Sequence, residues 1–141
     1  MPSFARVRTG FSSPKALFDR IAELRDDKKI KNVFLQAFDP RAIVSERHLL
    51  LAYENAKRAF DEKRNVADEL EAEVLARAAG TRRISEAIER VGVRDAADVL
   101  ILFDGIAKEE ILKKLNASEL KPAIIDADEN ELARRFEIGA K

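Results

Sequence analysis

The 141-residue chain contains no cysteine. That excludes disulfides, thiolate zinc sites, iron–sulfur clusters and cysteine nucleophiles together. Its one histidine is His48, so no histidine-rich metal site can be assembled from this chain alone. No apolar run reaches the ~18 residues of a membrane-spanning helix. The opening Met1-Pro2-Ser3-Phe4-Ala5-Arg6 lacks the apolar stretch of a signal peptide. A soluble, cytoplasmic protein without a membrane partner is expected. Net charge is also missing, since 26 Lys and Arg offset 26 Asp and Glu. This balance excludes a globally basic chain that coats nucleic acid by bulk charge, but not a local basic patch. The glycines are Gly10, Gly80, Gly92, Gly105 and Gly139, too scattered for a G-x-G-x-x-G or Walker-type phosphate loop.

What is present describes a packed domain. The hydrophobic fraction is 46%, and a chain near 150 residues buries about 68–70% of its unfolded surface. No Pro/Gly/Ser linker, low-complexity stretch or internal repeat divides the sequence, so residues 1–141 are read as one domain. Charged residues are 37% of the chain, with a single glutamine, Gln36, and a single methionine. Such a composition fits a thermophile, in which ion-pair networks are favoured and thermolabile side chains are few.

Periodicity supplies the elements. Phe4-Ala5-Arg6-Val7-Arg8 alternates at period two and predicts an edge strand with one wet face. Ser13-Pro14 reads as an N-cap and first helical residue, with Leu17, Ile21 and Leu24 continuing a helix to about Lys28. Asn32 to Phe38 is a short apolar run closed by Asp39-Pro40, hence a buried strand. Ser45 caps a helix whose inner face is Leu49, Tyr53 or Ala52, Ala56 and Phe60. Asn65 is the expected cap of the next helix, with Val66, Leu70 and Val74 on one face and Gly80 as its stop. Thr81 is the expected cap of a third, with Ile84, Ala87, Ile88 and Val91 inward and Gly92 at its end. Asp98 to Phe103 predicts a central strand, and Ala107 to Leu115 a helix. Ala123-Ile124-Ile125 predicts a last strand, and Asp128 with Glu131 resembles a capping box opening a C-terminal helix to about Phe136. The fold class is α/β or α+β, a small mixed or antiparallel sheet flanked by helices.

Catalytic constellations are thin. Asp61, Glu62, Glu69, Glu71 and Glu73 alternate with Lys57, Arg58 and Lys63 and read as a solvated helix face with i,i+4 pairs. His48 has no Ser or Asp tied to it by spacing, so it reads as a structural histidine bonded to a neighbouring loop, with ligand contact the lesser reading. The arginines are more informative. Arg77, Arg82 and Arg83 fall between Val74 and Ser85 without an acidic residue among them. Two of them flank the Gly80-Thr81 turn, where a helix N-terminus and adjacent guanidiniums would favour a phosphate. The competing reading is an arginine pair bridging to nearby glutamates.

Around this turn the sequence resembles a known family. Ile43-Val44-Ser45-Glu46-Arg47-His48-Leu49-Leu50-Leu51-Ala52-Tyr53-Glu54-Asn55-Ala56, Asn65 to Glu73, and Ala78-Ala79-Gly80-Thr81-Arg82-Arg83-Ile84-Ser85-Glu86-Ala87-Ile88 resemble the kinase-binding accessory subunit of KEOPS, the p53-related-kinase-binding protein family. KEOPS makes threonylcarbamoyladenosine in tRNA. The family's turn often reads Gly-Thr-Arg-Gln-Ile, so Arg83 is a departure that adds charge. The likeness spans about Ile43 to Phe103 most closely, and order and length fit over the whole chain.

The resemblance implies a non-catalytic, archaeal-like subunit with no catalytic residue, cofactor or metal. It would bind the N-terminal lobe of the small KEOPS kinase, stimulate it, join the rest of the complex and hold the single-stranded CCA end of tRNA. Gly80, Thr81, Arg82, Arg83 and Ile84 would centre the tRNA site, with Arg77, Lys57, Asn55 and His48 as further contacts. The C-terminal helix, through Leu132, Arg135 and Phe136, is the expected kinase contact, with docking on its own sheet the competing reading. A guanidinium notch with an apolar shelf such as Ile84 suits a three-nucleotide strand. Aromatics are only 6%, and Tyr53 and Phe60 fit core positions, so an aromatic stacking platform is not expected. Two other readings compete: a stand-alone RNA- or nucleotide-binding module using Arg82 and Arg83, and a small enzyme on a phosphorylated metabolite with His48 as base. The missing nucleophile, metal ligands and Gly-rich loop weigh against the enzyme.

Overall fold

The alternation in β1 (Ser3–Arg8) places Ala5 and Val7 in the core and leaves Arg8 in water. The computed structural model describes residues 2–26 and 33–121. Two compact units emerge, the first built from Met1–Pro40 with Val93–Ala123. Its helix α1 (Pro14–Asp26) opens as the sequence predicts, because Ser13 Oγ accepts from the Ala16 N–H at 3.1 Å. Strand β2 (Phe34–Phe38) is buried at every position, and so are Val99 to Phe103 of β3 (Val99–Asp104). Helix α5 (Lys108–Leu115) and a short β4 (Ser118–Leu120) complete the unit.

All pairings are antiparallel, in the order β2-β3-β1-β4. Ile101 stands opposite both Ala5 and Ala37, so β3 has a partner on each side. One face of the sheet is closed by Leu17, Ile21 and Leu24 of α1 with Ile111 and Leu115 of α5. Leu100 and Leu102 turn to the opposite face and are also inaccessible. The sheet is therefore α+β in character, as expected, with one correction. β1 is not an edge strand, because β4 pairs along its outer side. Arg6 is drawn from water as well, its Nε and Nη2 donating to the two carboxylate oxygens of Asp98 at 2.6 and 2.8 Å. The strand expected at Ala123-Ile124-Ile125 and the C-terminal helix from Asp128 lie outside the described residues.

Arg41–Gly92 carries the helices of the second unit. Helix α2 (Glu46–Asp61) is capped by Ser45, whose side chain accepts from the His48 N–H. Leu49, Ala52, Tyr53, Ala56 and Ala59 are buried on one stripe, as the spacing predicts, and Phe60 is half-buried. Helix α3 (Leu70–Ala79) starts later than expected. Asn65 does not cap it: its Nδ2 donates to the Ala67 carbonyl and so shapes the preceding loop. Val66 consequently leaves the helix face and is 46% exposed.

Helix α4 (Ile84–Val91) has Arg83, not Thr81, at its cap position. Ala87 and Val91 are buried, whereas Ile88, expected inward, is 50% exposed. Gly92 ends the helix in extended backbone, and a Cβ there would collide with the Ile88 carbonyl oxygen. Among the described residues no helix is long and apolar enough to cross a membrane.

Candidate functional site

Two helix ends build the site. At the end of α2, Lys63 takes the left-handed conformation at φ 57°. Its N–H bonds to the Phe60 carbonyl, and the Arg64 N–H to that of Ala59. At the end of α3, Gly80 does the same at φ 71°, where a residue without Cβ is favoured. The Gly80 N–H then bonds to the Arg77 carbonyl and the Thr81 N–H to that of Ala76. Both are Schellman closures, which fix the direction in which the chain leaves the helix. Arg64 leaves one and Thr81-Arg82 leave the other.

The last carbonyls of a helix lack partners within it, and those of α3 are all occupied. Ala76 and Arg77 accept from the turn itself. Ala78 accepts from His48 Nε2 at 2.8 Å, and Ala79 from Arg90 Nη1 at 3.3 Å. The turn into α4 is held by Thr81, whose Oγ1 accepts from the Arg83 N–H at 3.2 Å and donates to Glu86 Oε2 at 2.7 Å. That bond, with the nearby charges of Arg90 and Arg83, holds the Glu86 carboxyl below its ordinary range. Arg83 itself supplies no side-chain cap to α4.

These elements enclose a cleft of about 440 Å³ lined by Arg64, Val66, Ala76, Arg77, Gly80, Thr81 and Arg82. Its volume lies within the ~300–1,000 Å³ of small-ligand sites. Arg77 donates through Nε to Glu73 Oε2 at 3.0 Å. Arg64 donates through Nε to Glu62 at 2.6 Å. Arg82 is exposed, and among the described residues no carboxylate forms an ion pair with it. The cleft therefore combines guanidinium donors, the Thr81 residue and the exposed apolar side chain of Val66. Phosphate oxygens and a flat apolar group are both accommodated by that lining.

Glu73 departs most from expectation. It was read as part of a solvated face, yet it is fully buried. Its Oε1 accepts from the N–H groups of Val66 and Ala67, each at 2.8 Å, while Oε2 takes Arg77. A buried carboxylate is tolerated only when its lone pairs are satisfied in this way.

The sequence-predicted residues separate accordingly. Arg77, Gly80, Thr81 and Arg82 converge on the cleft; Arg83 and Ile84 follow directly but do not line it. Lys57 stands 5.4 Å from the centroid of the Tyr53 ring, and Asn55 is exposed on α2; neither lines the cleft. His48 bonds the Ala78 carbonyl in the last turn of α3 rather than a loop, and burial lowers its pKa from 6.5. Arg64, Val66 and Ala76 are lining residues that the sequence reading missed. The basic Lys63-Arg64 step at a helix end was the available signal. Leu132, Arg135 and Phe136 lie outside the described residues. Among the described residues no group of His, Asp and Glu is arranged to hold a metal ion.

Comparison with known proteins agrees with the resemblance. The KEOPS complex subunit Cgi121 of Pyrococcus abyssi is 34% identical over 92 residues, 60% of this chain and 51% of that protein. The chain thus spans about half the length of this curated relative. Residues 12–138 match the family described as kinase binding protein CGI-121. That match runs through the cleft and covers most of the sequence, and the chain belongs to the kinase binding protein CGI-121 family.

Proposed function

We propose that this chain is a non-catalytic subunit of a KEOPS assembly, in which it binds and stimulates the small kinase and holds the single-stranded CCA end of tRNA. Family membership supports the kinase-binding half, and the name of the Pyrococcus abyssi relative supports the assembly. The RNA half rests on one observation: Arg64, Arg77 and Arg82 share a cleft with the exposed side chain of Val66 in a chain of zero net charge. A bare inorganic anion requires no apolar wall. A single-stranded RNA end presents phosphates and unstacked base faces together, which suits this lining. Gly80, Thr81 and Arg82 form the centre of the proposed contact, with Arg83 and Ile84 next along the chain.

The kinase contact is assigned to the segment carrying Leu132, Arg135 and Phe136. Co-expression with the small kinase tests the assembly, and a tRNA with its terminal CCA removed tests the RNA end. The expected results are a stable complex at micromolar concentration and a marked preference for intact tRNA. Truncation after Glu129 should abolish kinase capture while leaving tRNA binding in place. A chain that binds tRNA normally but captures no kinase would be a stand-alone RNA-binding module instead.

A further inference from the structure

Glu73 is inaccessible to solvent, yet it touches the cleft through two of its walls. Its Oε1 holds the backbone N–H groups of Val66 and Ala67, and its Oε2 holds Arg77 Nε. Val66 and Arg77 both line the cleft, one on the loop before α3 and one on α3 itself. No side chain caps the first turn of α3; the carboxylate of Glu73 instead reaches back past that turn and anchors the preceding loop at Val66 and Ala67. The Arg77 side chain remains 31% exposed after pairing. Its Nε is committed to Glu73, and the residue lines the cleft.

We infer that Glu73 is the positioning residue of the RNA-end site, fixing the apolar wall at Val66 and the cation at Arg77 with one carboxylate. The inference rests on the RNA-end reading. It assigns to Glu73 no contact with RNA: the residue acts through its two neighbours. A solvated-face glutamate would present an unpaired negative charge to the phosphates of an RNA end, whereas this buried carboxylate has its charge matched by Arg77 and holds that guanidinium by its Nε.

Glu73→Gln separates the two functions. Its single carbonyl oxygen can keep the Val66 and Ala67 bonds, but the amide NH2 then meets Arg77 Nε–H donor to donor. The wall stays and Arg77 is released. Binding of a tRNA transcript with an intact CCA end should weaken on the order of tenfold, the scale of one charge-assisted contact. The salt dependence should become shallower by about 0.7 per lost phosphate contact. Arg77→Ala should produce the same two changes, and the double variant should be no weaker than Arg77→Ala alone. Amide exchange reports the wall separately: Val66 and Ala67 should remain protected in Glu73→Gln and lose protection in Glu73→Ala.

A merely structural Glu73 would lower the amount of competent protein without altering the salt slope. A Glu73→Gln protein with the wild-type slope and affinity, or losses that multiply with Arg77→Ala, would overturn the inference. The wild-type control separates the two readings. Wild-type protein indifferent to CCA removal overturns the RNA-end reading and this inference with it. A trimming-sensitive wild type beside an unaffected Glu73→Gln overturns only the inference.

Discussion

Nε2 of His48, in the first turn of α2, lies 2.8 Å from the carbonyl oxygen of Ala78 in the last turn of α3. A carbonyl only accepts, so Nε2 carries the hydrogen in this contact. The bond satisfies one of the carbonyls that α3 cannot satisfy internally and ties two helices of the second unit together. It stabilises the turn that follows, two residues further on.

Burial lowers the His48 pKa in the folded protein below 6.5, its value in an unfolded chain. The unfolded state therefore takes up the proton first as pH falls. The stability associated with neutral His48 is complete above about pH 6.5 and declines as pH falls toward the lowered folded value, by at most ~1.4 kcal/mol per pH unit. Urea unfolding between pH 7.5 and 5.5 should show this decline, above the range in which carboxylates titrate. His48→Gln keeps an N–H donor but does not titrate, and its stability should be flat across the same interval. A parallel decline in both proteins would place the titrating group elsewhere.

Thr81 and Glu86 give a second titration with the opposite construction. The Thr81 hydroxyl donates to the half-buried Glu86 carboxylate and holds its pKa down. Thr81→Val should move the Glu86 carboxyl titration upward, toward its ordinary range, as followed by NMR of the side-chain carbon. Thr81→Ser retains the hydroxyl and should leave the midpoint in place. If Val and Ser behave alike, the neighbouring arginines rather than the hydroxyl set the shift.

The strand interior offers the stability prediction. Ile101 is inaccessible and belongs to the cluster closed by α1 and α5. Its truncation leaves a void in a sheet held on both sides by β1 and β2. Ile101→Ala should cost roughly 2–5 kcal/mol, read as a lower urea midpoint with an unchanged slope. A midpoint within experimental error of wild type would contradict this packing.

Local signals in the sequence were reliable where one residue decides the geometry. Ser13 and Ser45 cap their helices because a short hydroxyl reaches the open N–H groups, and Gly80 stops α3 because the turn needs positive φ. The Val99–Asp104 strand was visible because a continuous apolar run of that length suits a strand buried on both faces. β4 was not visible: its sequence, Ser118-Glu119-Leu120, is too short and polar for periodicity to register. The alternating basic residues of β1 read as the wet face of an edge strand, whereas β4 pairs along that strand. Half of the cleft was hidden for a related reason. Glu73 is a strong helix former among other charges, and only the fold reveals that its carboxylate turns inward to the Val66-Ala67 backbone. Val66 follows from that contact, which spacing along the chain does not encode, while Arg64 is placed by the left-handed turn at Lys63.

The two arginines at the turn should now separate in function. Arg82 lines the cleft, whereas Arg83 occupies the cap position of α4 and faces the charge of Glu86. Both are exposed, so neither alanine variant should unfold the protein. Arg82→Ala should weaken binding of intact tRNA and reduce its salt slope by about 0.7 for one single-strand phosphate contact. Removing CCA should weaken the wild type by a similar factor, and Arg82→Ala should then be nearly indifferent to the removal. That non-additivity would tie Arg82 to the RNA end rather than to RNA charge in general. Arg83→Ala should lose less affinity and keep the preference for intact tRNA, while the double variant should resemble Arg82→Ala. Equal losses for trimmed and intact tRNA in every variant would reduce the turn to a generic basic patch.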